Sequence, residues 1–172
     1  MTNALKPKQQ KRALKGDGCD TPHRQALKSA LRILARRDHS LAELFQKLTC
    51  RGYGEDVVQE VIAECQRLSY LDDERAARQI IDRMKRKGMG ARRIRGELLR
   101  RGLEGEPAEA LLRECVPAAE EQAMARRLSL KKWKTFAAEP DSQKKKLRLQ
   151  RFLRYRGFSD AVIFEMLKEL RS

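Results

Sequence analysis

Apolar residues recur three and four positions apart along nearly the whole chain, and no sustained alternation of period two interrupts them. That spacing puts one apolar stripe on each of a series of helices, so the prediction is an all-α fold. The first helix carries Leu27, Ala30, Leu31 and Leu34 on one stripe. Ser40 followed by Glu43 has the spacing of a capping box, in which each side chain satisfies a backbone N–H at a helix start. The second helix presents Leu41, Leu44, Phe45 and Leu48 and stops at Gly52, which adopts the left-handed conformation at little cost. A third carries Val57, Val58, Val61, Ile62, Cys65 and Leu68. Further on, Ala76, Ala77, Ile80, Ile81 and Met84 form a stripe on a helix starting near Asp72, and Ala123, Leu128 and Trp133 form one on a helix starting near Pro117. Between Lys131 and Ser142 the pattern fades, and Pro140 and Asp141 predict an extended connection there.

The pattern also repeats on a longer scale. Leu44, Leu48, Arg51, Gly52 and Tyr53 recur as Ile94, Leu98, Arg101, Gly102 and Leu103, and again as Leu149, Leu153, Arg156, Gly157 and Phe158, with identical internal spacing. Beyond each glycine, Val57/Val58 and Val61/Ile62 correspond to Pro107/Ala108 and Leu111/Leu112, and then to Val162/Ile163 and Met166/Leu167. The period of about 50 residues is the size of a three-helix unit. In each unit a helix ends at Arg-Gly, one apolar residue plugs the corner, and the next helix turns its paired apolar positions inward; Ser159 caps that helix in the third. Three tandem three-helix repeats are expected, over residues 21–70, 71–116 and 117–172, behind a flexible basic arm at residues 1–20. Units this small have marginal cores, so neighbours should pack on one another in an elongated, curved array.

Composition narrows the function. The chain has 172 residues, 39 Lys and Arg against 24 Asp and Glu, and a net charge of +15, which favours an anionic partner; a well-solvated helical surface accounts for part of the excess. Residues 117–172 hold fourteen basic and seven acidic residues, the largest excess of any segment. No apolar run reaches the roughly 18 residues of a membrane span, and residues 1–20 lack the apolar centre of a signal peptide, so a cytoplasmic protein is expected. Cys19, Cys50, Cys65 and Cys115 show no CxxC or paired Cys/His spacing, and His23 and His39 are the only histidines. Neither a metal nor another cofactor is expected, and the cysteines read as reduced thiols.

The repeat carries a family resemblance. Leu34-Ala35-Arg36-Arg37-Asp38-His39-Ser40, then Glu43-Leu44, Leu48 and Arg51-Gly52-Tyr53, and above all Tyr70-Leu71-Asp72-Asp73-Glu74-Arg75-Ala76-Ala77, are together similar to the RecX family of bacterial regulators of the RecA recombinase. The resemblance continues through Lys87-Gly88, Ile94-Arg95, Glu97-Leu98 and Gly102 to Phe152-Leu153-Arg154-Tyr155-Arg156-Gly157-Phe158, and spans approximately residues 24–170. It departs at Ala77, where relatives often have a neighbouring aromatic, and at Leu103 in the aromatic corner position. It implies three three-helix repeats and a protein that binds RecA, lies in the groove of the RecA–DNA filament and suppresses RecA's ATP hydrolysis, strand exchange and coprotease activity. It thus places the chain in recombination, DNA repair and the SOS response. A monomer is expected.

Candidate sites are weighed against structural explanations. Asp72, Asp73 and Glu74 suggest an acidic catalytic patch, but carboxylates at a helix start cap free N–H groups, and adjacent helical positions diverge by about 100°. No phosphate loop or nucleophile motif accompanies them, so a non-enzyme is expected. One basic cluster comprises Arg83, Lys85, Arg86 and Lys87 at a helix end with Arg92, Arg93 and Arg95 on the next helix, where complementing the helix dipole is as good an explanation as binding. Arg101 shares the repeated Arg-Gly turn with Arg51 and Arg156, which favours a structural role. A second cluster comprises Arg126, Arg127, Lys131 and Lys132, with Lys144, Lys145, Arg148 and Arg151 beyond; Lys144, Arg148 and Arg151 share one helical face and are expected to meet an anionic surface. Trp133, between Lys132 and Lys134, suits either base stacking or core packing. The candidate surface for RecA and its DNA filament is these fifteen cations. The alternative is a DNA-binding module that contacts the phosphate backbone directly and affects recombination by competing for DNA.

Overall fold

The computed structural model of the protein describes residues 21–169; the basic arm expected over residues 1–20 lies outside the described residues. Among these the chain forms nine helices and no strand. The first triplet is α1 (Pro22–Leu34), α2 (Leu41–Thr49) and α3 (Glu55–Arg67); the second is α4 (Asp73–Arg86), α5 (Ala91–Arg100) and α6 (Glu106–Cys115); the third is α7 (Ala118–Lys134), α8 (Ser142–Arg156) and α9 (Asp160–Glu169). Each triplet closes on its own core, and the repeated apolar pairs Leu44/Leu48, Ile94/Leu98 and Leu149/Leu153 are at most 2% exposed.

Local chemistry sets the helix boundaries. Ser40 and Glu43 form the expected capping box. The Asp72 carboxylate accepts from the Arg75 N–H at 3.0 Å, Asp141 accepts from Gln143 and Lys144, and the Ser159 hydroxyl accepts from the Val162 N–H at 3.3 Å. Gly52, Gly102 and Gly157 take φ of +86°, +70° and +85°, which lets each Arg-Gly turn reverse the chain without a Cβ clash. Phe158 and Leu103 plug their corners in full, whereas Tyr53 is half-buried and its hydroxyl lies 2.8 Å from the Ser29 hydroxyl.

Three expectations need correction. On α1 the buried positions are Ala26, Ala30 and Ile33, while Leu31 is 38% exposed; small side chains let α1 approach α3, and the leucine stripe overstated their weight. On α7 the core takes Met124 and Ala125, Ala123 is exposed, and Leu128 and Trp133 pack half-buried at its edge. The supposed extended stretch from Lys131 to Ser142 is in fact the end of α7 as far as Lys134, then a turn that buries Phe136; only residues 139–141 lack helix or turn. A single aromatic in a turn has no period to betray it.

The close helix pairs all lie within triplets, and successive triplets meet through one recurring joint, in which the start of a triplet's second helix docks on the next triplet's Arg-Gly turn. Between the first and second triplets, Ser40 donates its hydroxyl proton to the Arg101 carbonyl, and Gly102 faces the Ala42 methyl with no room for a Cβ. The Leu41 N–H donates to Asp73 at 2.8 Å, and Arg75 pairs with Asp38 at 3.2 Å. Between the second and third, the Gly90 N–H donates to the Arg156 carbonyl at 2.8 Å and the Arg92 N–H to the Gly157 carbonyl at 3.1 Å. Here Gly157 lies against Arg93, again without space for a Cβ.

Candidate functional site

The cations singled out above divide by what they touch. Several are committed to holding the array together. Lys85, at the end of α4, donates to the Cys115 carbonyl of its own triplet and pairs with Glu120 of the third triplet at 2.9 Å. Arg92 meets Asp160 at 3.5 Å, and the Arg93 guanidinium lies over the Tyr155 ring at 5.0 Å. Within the second triplet, Arg95 pairs with Glu109 in a bidentate contact and Arg83 lies 3.8 Å from Glu97. The Glu109 partner holds the Arg95 pKa above its usual value.

On the third triplet, Arg126 pairs with Glu169 at 3.0 Å. The Lys132 ammonium sits 5.3 Å from the Phe136 ring and 5.5 Å from the Phe152 ring, and Arg148 lies over Phe136 at 5.1 Å while approaching Glu139. Lys144 pairs weakly with Asp141, the cap of its own helix, at 3.8 Å. Arg86, Lys87, Arg127, Lys131 and Arg151 face solvent, and Lys145 is half-exposed. A face expected to be uniformly cationic is therefore graded. Trp133 is half-buried in the third core, which favours packing over base stacking.

The acidic run does structural work. Asp72 caps α4, Asp73 accepts from Leu41 across the first joint, and Glu74 pairs with Arg78 one turn along the helix at 3.0 Å.

The arginine of the Arg-Gly turn shows what position in the array does to one repeated residue. Arg101 is drawn into the first joint, where it meets Glu43 at 3.2 Å and Glu97 at 2.8 Å. Arg156 is drawn into the second, donating to the Lys87 and Gly88 carbonyls and lying over Phe152 at 5.0 Å. Arg51 occupies the first turn, on which no other triplet docks among the described residues: it is exposed, its one side-chain hydrogen bond among them is a 3.4 Å contact to the Lys47 carbonyl of its own helix, and none of them comes within 4 Å of a Cβ position at Gly52. Around it stand Arg32 of α1, Arg36 of the turn after it, His39 and Lys47, lining a groove of about 190 Å³. The cluster escaped the sequence reading because its members belong to different elements and no run of charge announces them.

A tandem array of three-helix units, with some surface cations engaged and others facing solvent, defines an all-helical repeat protein. The chain belongs to the RecX family. Its three family models match in order: "RecX, first three-helix domain" over residues 26–65, the second over 72–112 and the third over 119–167. Regulatory protein RecX of Serratia proteamaculans is 35% identical over 165 residues, 83% of this chain and 96% of the relative. Regulatory protein RecX of Salmonella typhi is 39% identical over 142 residues, 77% of this chain and 83% of the relative. The crystal structure of RecX from Lactobacillus salivarius shares the fold, with a TM-score of 0.77 at 20% identity, covering 87% of this chain and 97% of that one. Among the described residues no helix is long and apolar enough to cross a membrane.

Proposed function

We propose that this protein is a non-enzymatic regulator that binds the RecA recombinase and its nucleoprotein filament and suppresses RecA's ATP hydrolysis, strand exchange and coprotease activity. The match to all three RecX domains, in order and along most of the chain, carries this reading. The tandem array supports it physically. A body of linked triplets with solvent-facing Arg86, Lys87, Arg127, Lys131 and Arg151 spread along it suits contact with more than one filament subunit. Spanning subunits would bias the filament between arrangements, because a ligand shifts a conformational equilibrium only through unequal affinity for its states. A monomer working in the bacterial cytoplasm belongs to the same reading. The test is RecA's single-strand-DNA-dependent ATPase with this protein titrated in: the rate is expected to fall, and an unchanged rate and filament well above RecA's concentration would refute the proposal.

The second reading is direct binding of the DNA backbone, favoured by the same solvent-facing cations of the third triplet. Four phosphate contacts on a single strand predict a log-affinity against log-salt slope near about −3. Lys131→Glu with Arg151→Glu is expected to flatten that slope if those cations meet phosphate, and to weaken filament binding without flattening it if they meet RecA carboxylates.

A further inference from the structure

We infer that the groove beside the first Arg-Gly turn, between α1 and α2, is a phosphate-binding cleft, whose phosphate is presented by a nucleic-acid strand or by a nucleoside triphosphate. The inference concerns residues that neither reading above uses, and it can be tested without RecA.

Four cations converge there: Arg32 from α1, Arg36 from the turn that follows it, Lys47 from α2 and Arg51 from the Arg-Gly turn. Arg32, Arg36 and Arg51 are exposed, so their guanidinium donors are available to an incoming oxygen. The floor is His39, only 3% exposed. Its Nδ1 lies 2.9 Å from the Arg37 carbonyl and its Nε2 lies 2.9 Å from the Lys47 ammonium. A carbonyl can only accept and an ammonium can only donate, so the ring is neutral, protonated at Nδ1 and accepting at Nε2. That pair of bonds fixes the Lys47 ammonium against the groove wall.

Glu43, the carboxylate whose charge acts on Lys47, is already engaged by other cations. Glu43 is turned away into the first joint, where Arg37 grips both its oxygens at 2.8 and 3.0 Å, Arg101 adds a third contact, and the Ser40 N–H donates to it. Burial and then the charge of Arg37 hold the Lys47 pKa below its usual value, with Arg51 and Arg101 adding to the effect against Glu43. Burial also lowers His39, with the charges of Arg37 and Lys47 adding to it against the hydrogen bond to the Arg37 carbonyl. An ammonium disfavoured by burial and by neighbouring cations, as Lys47 is, gains from an anion placed beside it.

The repeat explains why the site is confined to one triplet. Arg101 and Arg156, the counterparts of Arg51, are used by the joints, whereas among the described residues no other triplet docks on the turn that holds Arg51. Phosphate fits the donor set better than a lone carboxylate does, because its oxygens, two non-bridging ones on a strand or three on a terminal phosphate, point to the corners of a tetrahedron and can accept from guanidinium groups arriving in different planes.

His39 and His23 are the only histidines, and His23 lies beside Glu64 at the far end of α1, so the two imidazole resonances give a local probe and an internal control. In a titration with a single-stranded oligonucleotide at low salt, the His39 resonance is expected to move and that of His23 to stay. A parallel titration with ATP identifies the source: movement with ATP alone assigns a nucleotide cleft, and movement with the oligonucleotide assigns a strand contact. Arg32→Glu with Arg36→Glu, both exposed, one on α1 and one in the turn after it, is expected to lower affinity for the ligand that moves His39 by at least about tenfold. For a strand it should also reduce the salt slope by about 1. Arg32→Lys with Arg36→Lys should retain most of the affinity. A His39 resonance that moves with neither ligand, or wild-type affinity in the charge-reversed protein, overturns the inference. Neither result bears on the RecA ATPase titration, so the two readings fail separately.

Discussion

At the residue scale, Glu43 carries more of the first joint than any other side chain. It begins as a local device, the N3 member of a capping box with Ser40. It also receives Arg37 from the preceding loop and Arg101 from the next triplet. Burial pushes its carboxyl up, but the Arg37 hydrogen bonds and the Arg101 and Arg37 charges outweigh burial and hold the pKa down to about 2. Glu97, which shares Arg101, is lowered in the same way against its own burial. A carboxyl depressed in the folded state adds stability that is present above its ordinary value of 4.5 and is lost as pH falls towards 2. The wild-type melting temperature is therefore expected to fall on acidification through that window, and Glu43→Gln should start lower at neutral pH and fall less; parallel curves for the two proteins would show that Glu43 is not the titrating group. The capping half of this role was legible as Ser-x-x-Glu. The Arg101 half was not, because proximity across 58 positions leaves no mark in local spacing.

At the element scale, the repeat was the most legible feature. The spacing of Leu44, Leu48, Arg51 and Gly52, met three times, located the second helix and the turn of every triplet, and the structure buries each apolar pair it marked. Legibility failed where alanine stands in the core. Ala26 and Ala125 are fully buried, yet a methyl group adds little to an apolar pattern, so the stripes of α1 and α7 were drawn one or more positions out, with Ala30 the one buried alanine they included. The energetic corollary concerns the large side chains. Leu98 and Leu153 are at most 2% exposed, and truncating either to alanine removes three heavy atoms and leaves a cavity in a small core. Leu153→Ala and Leu98→Ala are each expected to cost about 2 to 4 kcal/mol by chemical denaturation. Because the triplets have separate cores, the loss should centre on the triplet that holds the change, read as faster amide exchange in α7–α9 for the first and α4–α6 for the second; uniform loosening of both would mean that the array melts as one unit.

At the scale of the whole molecule, the joints decide which cations remain for a partner. Net charge of +15 says only that an anion is favoured, whereas the contacts show Lys85, Arg92 and Arg93 consumed at the second joint and Arg101 at the first, with Arg51 left over where the array begins. The joints are also where the relative placement of the triplets is set, and Gly90 is their most exposed weakness. Its φ of −78° and ψ of 167° suit any residue, so replacing it carries no conformational penalty. A Cβ there would lie 2.6 Å from the Gly157 carbonyl oxygen and 2.7 Å from the Phe158 nitrogen, both backbone atoms that cannot rotate away. Gly90→Ala must then push α5 off the third triplet's turn and stretch the hydrogen bonds from the position-90 and Arg92 amides to the Arg156 and Gly157 carbonyls. The expected signature is faster exchange of those two amides, with the amides around Leu98 and Leu153 still protected, since Gly90, Arg92, Arg156 and Gly157 belong to neither core. If spanning neighbouring subunits is how the protein acts on a filament, the same variant should inhibit the RecA ATPase less at equal concentration. Wild-type exchange at the joint would show that the second and third triplets absorb the methyl without separating, and the relation drawn here between joint and function would fall.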